Sequence, residues 1–496
     1  MEQLPTSLNY TASKSVIKYK RHNVRTTSTN SGGSGSVFRF RLPNGLINLS
    51  SFALAFDLKI SGLDDNADAR VILEGELTTL EGELATLEGE LAALTPGTQP
   101  HTTKQAEITA KEAEITAKEA EIVTAEEQYS NVKLPLSHKL IREIKVFVNN
   151  QQVSAQCSDY DLFYVALYKA TVSDEYVKST HHQHGFEMIM NADDIGNLDV
   201  DSVNIGDTSK SASYLVSNFM GIFNSGLFDT SLFGSIELEF IINEKYCLAQ
   251  YVKGTGSNDD ISLNVSNVEA FIDKVVEISP VYNKMVNMML STRKEPLYYC
   301  YQNFCSQINS TGKMARLQCR SQCIDAVVCF PLSSNYLNTT ATMNPASTFD
   351  APRYQFNSGK TRNRFDLNRT KNVSLQMTIN GNNYPDVPIN NAMHVAQITT
   401  QSLSNGSINY KSLLFNGRFE DYSDFLKQNF IWYNSLCGGE EGYVSKVMTG
   451  YDTLGQSVEI IVNHDCIATG GSLFIGALMT SCLSLDPVSK TMTVIE

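Results

Sequence analysis

The stretch RFRLPNGLINLSSFALAFDLKI, Arg39 to Ile60, decides the fold. Phe38 and Phe40 alternate with polar neighbours, and after a proline and a short turn Phe52, Leu54, Phe56, Leu58 and Ile60 alternate over nine residues. A period of two puts successive side chains on opposite faces of a strand, so one face of each run enters a core and the other meets water. The pattern recurs down the chain. Ile144, Val146 and Val148 lead to Asn149-Asn150; Ile236, Leu238, Phe240 and Ile242 alternate with Glu237 and Glu239. Val373, Leu375, Met377 and Ile379 run into Asn380-Gly381, a strong hairpin signal. Val458, Ile460 and Val462 alternate near the end. Half-buried strands of this kind pair antiparallel, and nothing alternates as βαβ. Short helices are expected at DYDLFYVALYKA, capped by Ser158-Asp159, and at DYSDFLKQNFIWYNSL, started by Asp421 or Ser423.

One segment breaks the pattern. From Val71 to Gln128 there are thirteen Glu, no Asp and three Lys, a net charge of −10 against −14 for all 496 residues. Leu73, Leu80, Leu87 and Leu94 recur every seven residues, as do Leu77, Leu84 and Leu91, which makes an a/d seam. Thr95-Pro96-Gly97-Thr98-Gln99-Pro100 is loop chemistry. The second arm carries Ala106, Ala110, Ala113, Ala117 and Ala120 on one side and Ile108, Ile115 and Ile122 on nearly the other. The segment reads as an antiparallel helical hairpin. A single hairpin buries one stripe per arm. Either several chains bring their hairpins together through these seam residues, or the hairpin stands alone with its isoleucines exposed. Gly75, Gly82 and Gly89 fall at the outer position of each heptad.

Composition narrows the function. With 42% apolar residues the chain can bury a sizeable core. Its acidity makes it a poor candidate for a dedicated nucleic-acid coat, whose affinity would come from Lys and Arg. No stretch approaches 18 apolar residues, so no membrane span is expected, and MEQLPTSLNYTASKSVIKYKR lacks the apolar core of a secretory signal. The ten cysteines are therefore expected reduced. Lys14, Lys18, Lys20, Arg21 and Arg25 stand against one acid, Glu2, in the first 30 residues, ahead of TTSTNSGGSGS. They read as a flexible basic arm that contacts genome or lipid headgroups, or has no fixed partner.

The strand-rich remainder divides into two halves of about 200 residues, each suited to a jelly roll. The expected fold is mainly β: two tandem eight-stranded antiparallel jelly rolls with an inserted α-helical coiled-coil hairpin. Residues 1–35 would be the arm, 36–278 the first jelly roll interrupted by the hairpin at 69–128, 279–295 a connector and 296–496 the second jelly roll. The hairpin would fall between the second and third strands.

Three passages then carry a resemblance: Arg39 to Ile60; SNFMGIFNSGLFDTSLFGSIELEFIIN (Ser217 to Asn243) with SNVEAFIDKVVEI (Ser266 to Ile278); and VSLQMTINGNNYPDVPINN (Val373 to Asn391). In order and spacing they resemble the double jelly-roll major capsid proteins of the virophage, Polinton-like virus and adintovirus group. The resemblance implies a homotrimer forming a pseudo-hexagonal capsomer. It also implies an icosahedral shell around double-stranded DNA, in some members over an internal membrane, with penton and minor capsid proteins as neighbours. The hairpin departs from the family pattern; at the top of a capsomer it would project as a spike. The protein would be assembled inside the host cell and reside in the virion capsid. Rival readings are a trimeric attachment protein, a minor capsid protein and a cupin-like metalloenzyme.

Catalytic chemistry is not expected, nor a cofactor, metal or small-molecule substrate. His181, His182 and His184 lack the downstream ligands of a cupin site. Cys300, Cys305, Cys319, Cys323 and Cys329 contain no C-x-x-C knuckle, and Cys319, Cys323 and Cys329 share parity as if on one strand. His464-Asp465-Cys466 are strand neighbours that point apart. Lys360, Arg362, Arg364, Arg369 and Lys371, with Tyr354, Phe356 and Phe365, read as a solvated loop or an inter-subunit contact rather than a nucleic-acid site.

Overall fold

The computed structural model describes residues 16–62, 67–126, 129–133, 137–155, 157–171, 209–244, 249–253, 262–294, 296–310, 312–321, 323–332, 374–403, 430–436, 450–465 and 472–495. The first half is built from β1 (Val16–Arg25), β2 (Val37–Arg41), β3 (Leu46–Ser61), β4 (Ile141–Val148), β5 (Gln151–Gln152), β6 (Ser209–Val216), β7 (Ile236–Ile242) and β8 (Ser262–Ile278). One sheet runs β1-β8-β3-β6 and its partner β2-β7-β4-β5. The second half is built from β9 (Leu297–Ser310), β10 (Met314–Arg320), β11 (Cys323–Leu332), β12 (Leu375–Ile379), β13 (Asn382–Ile389), β14 (Trp432–Ser435), β15 (Ser457–His464) and β16 (Ser472–Leu485). Its sheets run β9-β16-β11-β14 and β10-β15-β12-β13. All these ladders are antiparallel.

The two orders are one plan used twice. First strand pairs with eighth, second with seventh, third with sixth and fourth with fifth, as if a long hairpin had been rolled into a sandwich. That is the topology of a jelly roll. Short strands at Gly32–Gly33 and Leu227–Asp229, and at Tyr451–Asp452 and Met492–Ile495, widen one sheet of each half. Among the described residues the sheets are therefore six strands against four in each half, two more strands than the eight expected.

Alternation explains the sandwiches. Ile236, Leu238, Phe240 and Ile242 are buried, while Glu239 and Glu237 face out and meet Arg39 at 2.7 Å and Arg41 at 3.9 Å. Phe52 of β3 stacks on Phe240 of β7 across the two sheets, ring centroids 5.7 Å apart. The fourth and fifth strands are closed in each half by a two-residue turn with both φ positive: Asn149 and Asn150 at 49° and 64°, Asn380 and Gly381 at 48° and 82°. Such turns match the twist of the flanking strands.

Three expectations need correction. Residues 16–25 are not a flexible arm. They form β1, paired along β8 from Val16↔Ile278 to Arg25↔Glu269, with Val24 buried as its anchor. Because β1 precedes the others, the insertion follows the third strand of the roll, not the second. The stretch beginning at Asp421 is not helical at its end. Phe430 to Tyr433 are buried consecutively, and Trp432–Ser435 is β14, whose Trp432 pairs with Cys329; residues 404–429 lie outside those described. The short helix predicted after Asp159 is present as Tyr160–Thr171.

The insertion consists of α1 (Ala67–Ala92) and α2 (Gln99–Glu126), which pack on each other. None of its described side chains joins the buried core that runs through both sandwiches. Replacing residues 67–126 by a short Gly/Ser linker should therefore leave the sandwiches intact, since loop length carries little entropy. Far-UV circular dichroism should lose helical signal while the melting transition stays cooperative and moves by only a few degrees; loss of soluble folded protein would show the helices to be part of the body.

Candidate assembly surfaces

The sandwiches share a buried, hydrogen-bonded joint. Helix α3 (Tyr160–Thr171), in the first half, lays Phe163 against Phe304 of β9 and Phe474 of β16, centroids 6.1 and 5.6 Å apart. Tyr299 meets Phe228 edge-on at 4.8 Å. Buried Asn303 is the polar centre: its amide donates to Val153 O at 3.1 Å and Ser481 Oγ at 3.1 Å, and its oxygen accepts from the Ala155 and Phe304 backbone N–H groups at 2.9 and 3.0 Å. The Tyr301 hydroxyl donates to the same Val153 carbonyl at 2.8 Å. Gly221, at φ +85°, lets the backbone pass Phe304, where a Cβ would come within 2.9 Å of the ring. A cavity of about 20 Å³ remains beside Val153, Met220, Phe223, Tyr301 and Asn303, room for one water. Helix α4 (Pro280–Asn287), within the connector, returns to the first half through the Tyr282 hydroxyl, which donates to Asp229 at 3.0 Å.

Connection lengths mark the two ends of each sandwich. In both halves the long connections follow the third and fifth strands: residues 62–140 and 153–208 in the first, 333–374 and 390–431 in the second. Tight turns follow the second and fourth: residues 42–45 and 149–150, then 321–322 and 380–381. Alternating strand direction puts the connections after odd-numbered strands at one end. A two-stranded ribbon, Tyr129–Lys133 with Ala249–Lys253, ties two connections of that end together. One end of each roll is thus the more elaborated; the other, though it also carries residues 217–235 and 436–456 after the sixth strands, is the more trimmed.

The hairpin belongs to the elaborated end. All seven seam leucines, Leu73, Leu77, Leu80, Leu84, Leu87, Leu91 and Leu94, are half-buried, as are Ile115 and Ile122, and Ile108 is buried. The isoleucine side of α2 therefore faces α1, and Ala106, Ala110, Ala113, Ala117 and Ala120 face solvent. Between the isoleucines sit Lys104, Lys111 and Lys118, each bridging the arms: to Glu90 at 2.8 Å, Glu83 at 2.9 Å and Glu76 at 2.9 Å. Each also holds the glutamate three residues on at 2.7 Å. Hydrogen bonds to these glutamates raise all three lysine pKa values. The seam thus closes within one chain. Nothing in the structure explains Gly75, Gly82 and Gly89, whose surroundings are open.

Strand β1 is an exposed edge. Lys18, Lys20, Arg21 and Arg25 are exposed on it, but β8 sets Glu277 opposite Lys18, Asp273 opposite Arg21 and Glu269 opposite Arg25. Arg21 lies over Phe271, 5.4 Å from its centroid. Three of these cations thus have an acid opposite in register, whereas Lys20 has Lys274. Lys14 lies outside the described residues, as do His181, His182, His184 and the basic cluster from Lys360 to Lys371. Cys319 lies on β10, whereas Cys323 and Cys329 lie on β11 of the other sheet, so their shared parity in sequence does not put them on one strand. Among the described residues no three His, Cys, Asp or Glu side chains are grouped to hold a metal. Sequence reasoning missed the joint. Its signals were an asparagine inside LYYCYQNFCSQINS and the nearly unbroken apolar run of β16, which is buried on both faces.

These features define the class as a double jelly roll. No family model matches the chain, and no curated protein matches it. Among solved structures it is similar to a chain of the PBCV-1 virus capsid, at 9% identity and a TM-score of 0.50 over 96% of both chains. It is also similar to a chain of the Sputnik virophage, at 10% identity and a TM-score of 0.51 over 97% of this chain and 88% of that one. At such identity the likeness is one of fold, and it spans both jelly rolls.

Asn303→Ala would strand the Ala155 N–H in the joint, while the Val153 carbonyl keeps the Tyr301 hydroxyl, and should cost about 1–3 kcal/mol, read as a lower urea midpoint. His464, at the end of β15, is buried with Nδ1 unpartnered among the described residues, and burial pushes its pKa down from 6.5 to about 4. Between those values the unfolded chain takes up a proton that the folded one refuses, so His464 removes stability as pH falls through that window. Buried Asp325 is shifted the other way, from 3.8 up to about 6, and opposes it. His464→Asn should accordingly lose less stability than the parent between pH 6.5 and 4; an equal loss in urea titrations would refute the assignment.

Proposed function

We propose that the protein is the major capsid protein of an icosahedral double-stranded DNA virus, a structural subunit and not an enzyme. The observation that carries this reading is the duplication: the same strand order occurs twice in one chain, and the two copies are fixed by a buried joint. A rigid body made of two similar units gives six similar units when three copies close around a threefold axis. Such a block can pack in a hexagonal array although its true symmetry is threefold. The likeness in fold to a chain of the PBCV-1 virus capsid supports the same reading.

In this arrangement the flanks of the jelly rolls meet in the homotrimer. Other surfaces meet neighbouring capsomers, penton and minor capsid proteins. The elaborated ends face outward, and the coiled-coil hairpin projects from the first jelly roll as a spike. The trimmed ends and the edge strand β1 face the interior, where the exposed cations of β1 meet genome or lipid headgroups weakly, given the acids of β8 beside them. The protein is assembled in the host cell and resides in the virion capsid. An attachment protein would carry its coil at a terminus, whereas here the helices interrupt a sandwich.

Light scattering of the purified chain at micromolar concentration should give three times the monomer mass, and negative-stain images should show hexagonal blocks. A stable monomer with no hexagonal outline would overturn the proposal.

A further inference from the structure

Two pairs of thiols touch in the second jelly roll, and they differ in the way that matters for reactivity. Cys300 of β9 and Cys482 of β16 are directly opposite in the antiparallel ladder, with their sulfurs 2.8 Å apart. Cys305 of β9 and Cys319 of β10 approach across the two sheets, sulfurs 3.3 Å apart, and both are buried. All four are free thiols. Cys300 alone of the four is partly open to solvent.

We propose that Cys300 and Cys482 are a reactive dithiol that a small-molecule disulfide converts to a cross-strand disulfide, while Cys305 and Cys319 stay reduced. Opposed residues of an antiparallel pair have Cα atoms about 4.5–5.5 Å apart, within the span a disulfide tolerates. The thiolate is the attacking species, and the Cys482 thiol, acting as hydrogen-bond donor, holds the Cys300 pKa below the usual thiol value and raises its own. Cys305, in contrast, is pushed well above the usual value by its contact with Cys319 and by burial. Solvent access and acidity therefore fall on the same sulfur.

The chemistry balances as ordinary thiol–disulfide exchange. The Cys300 thiolate attacks one sulfur of oxidised glutathione, the glutathione S–S bond breaks, and one glutathione leaves as thiolate. Cys482 then gives up its proton and attacks the Cys300 sulfur of the mixed disulfide; the second glutathione leaves. Two electrons pass from the protein to glutathione, and the two protons end on the two released thiols. The new bond joins the first strand of the second jelly roll to its last, across 182 residues of chain. It restrains the unfolded chain far more than the folded one. Such a protein folds reduced and becomes harder to unfold once it meets an oxidising medium. The exchange reaction does not depend on the capsid reading, and a monomer could show it equally well.

The test incubates the purified full-length chain with oxidised glutathione, with dithiothreitol as the reduced reference. Intact mass should fall by two hydrogens, non-reducing peptide mapping should link Cys300 to Cys482, and the melting temperature should rise by several degrees. Cys300→Ser should abolish all three changes. Cys482→Ser should instead retain glutathione on Cys300, and Cys305→Ser should behave like the parent. In the folded, reduced protein iodoacetamide should label Cys300 before Cys305 or Cys319. A parent protein that keeps glutathione on Cys300, links Cys305 to Cys319 first, or shows no Cys300–Cys482 peptide would overturn the proposal.

Discussion

Asn303 sits where the two jelly rolls could come apart and do not. A buried amide must satisfy both donors and its acceptor or weaken the fold. Here one donor and the acceptor are spent on the first half, at Val153 and Ala155, and the other donor on Ser481 of the second. These bonds have a direction that apolar contact lacks. Phe163, Phe304, Phe474 and Tyr299 bury area across the joint, but aromatic surfaces tolerate sliding. The amide fixes the register. Two units held at one fixed angle need both kinds of contact.

That fixed joint gives meaning to the repeated allocation of loops. Each half spends long connections after its third and fifth strands and tight turns after its second and fourth. The turns at Asn149-Asn150 and Asn380-Gly381 adopt paired positive φ values that few other residues accept. Those two turns are thereby held to two-residue geometry, while the connections after the third and fifth strands are free to grow. An insertion of some 60 residues has entered the first half without entering its core.

Much of this was legible in the residues and some of it was not, for identifiable reasons. Alternating strands such as β3 and β7 announce themselves because one face is wet. Strand β16 does not alternate, since the first half covers its second face, and a sequence carries no mark of which distant helix does the covering. Strand β1 was hidden differently. Lys18, Lys20, Arg21 and Arg25 resemble a solvated arm until β8 supplies Glu277, Asp273 and Glu269 beside them; cross-strand charge pairing links residues some 250 positions apart. The hairpin's heptads were plain, but two stripes on α2 competed for the inner face. Isoleucine won over alanine because it buries more apolar area, and the lysines between the isoleucines reach glutamates on α1.

That choice bears on how hairpins from neighbouring chains relate. With leucine, isoleucine and the lysine bridges engaged inside one chain, the outer faces offer alanine, glycine and exposed glutamates such as Glu81 and Glu88. Alanine and glycine supply little apolar area for association, and like charges brought within a Debye length repel. Three such fingers around one axis would gather three times a net charge of −10. Charge favours fingers that stand apart, each on its own lysine ladder, so in the proposed trimer cohesion falls to the sandwiches beneath them. A bundle at a common axis would require that charge to be neutralised, for instance by bound cations.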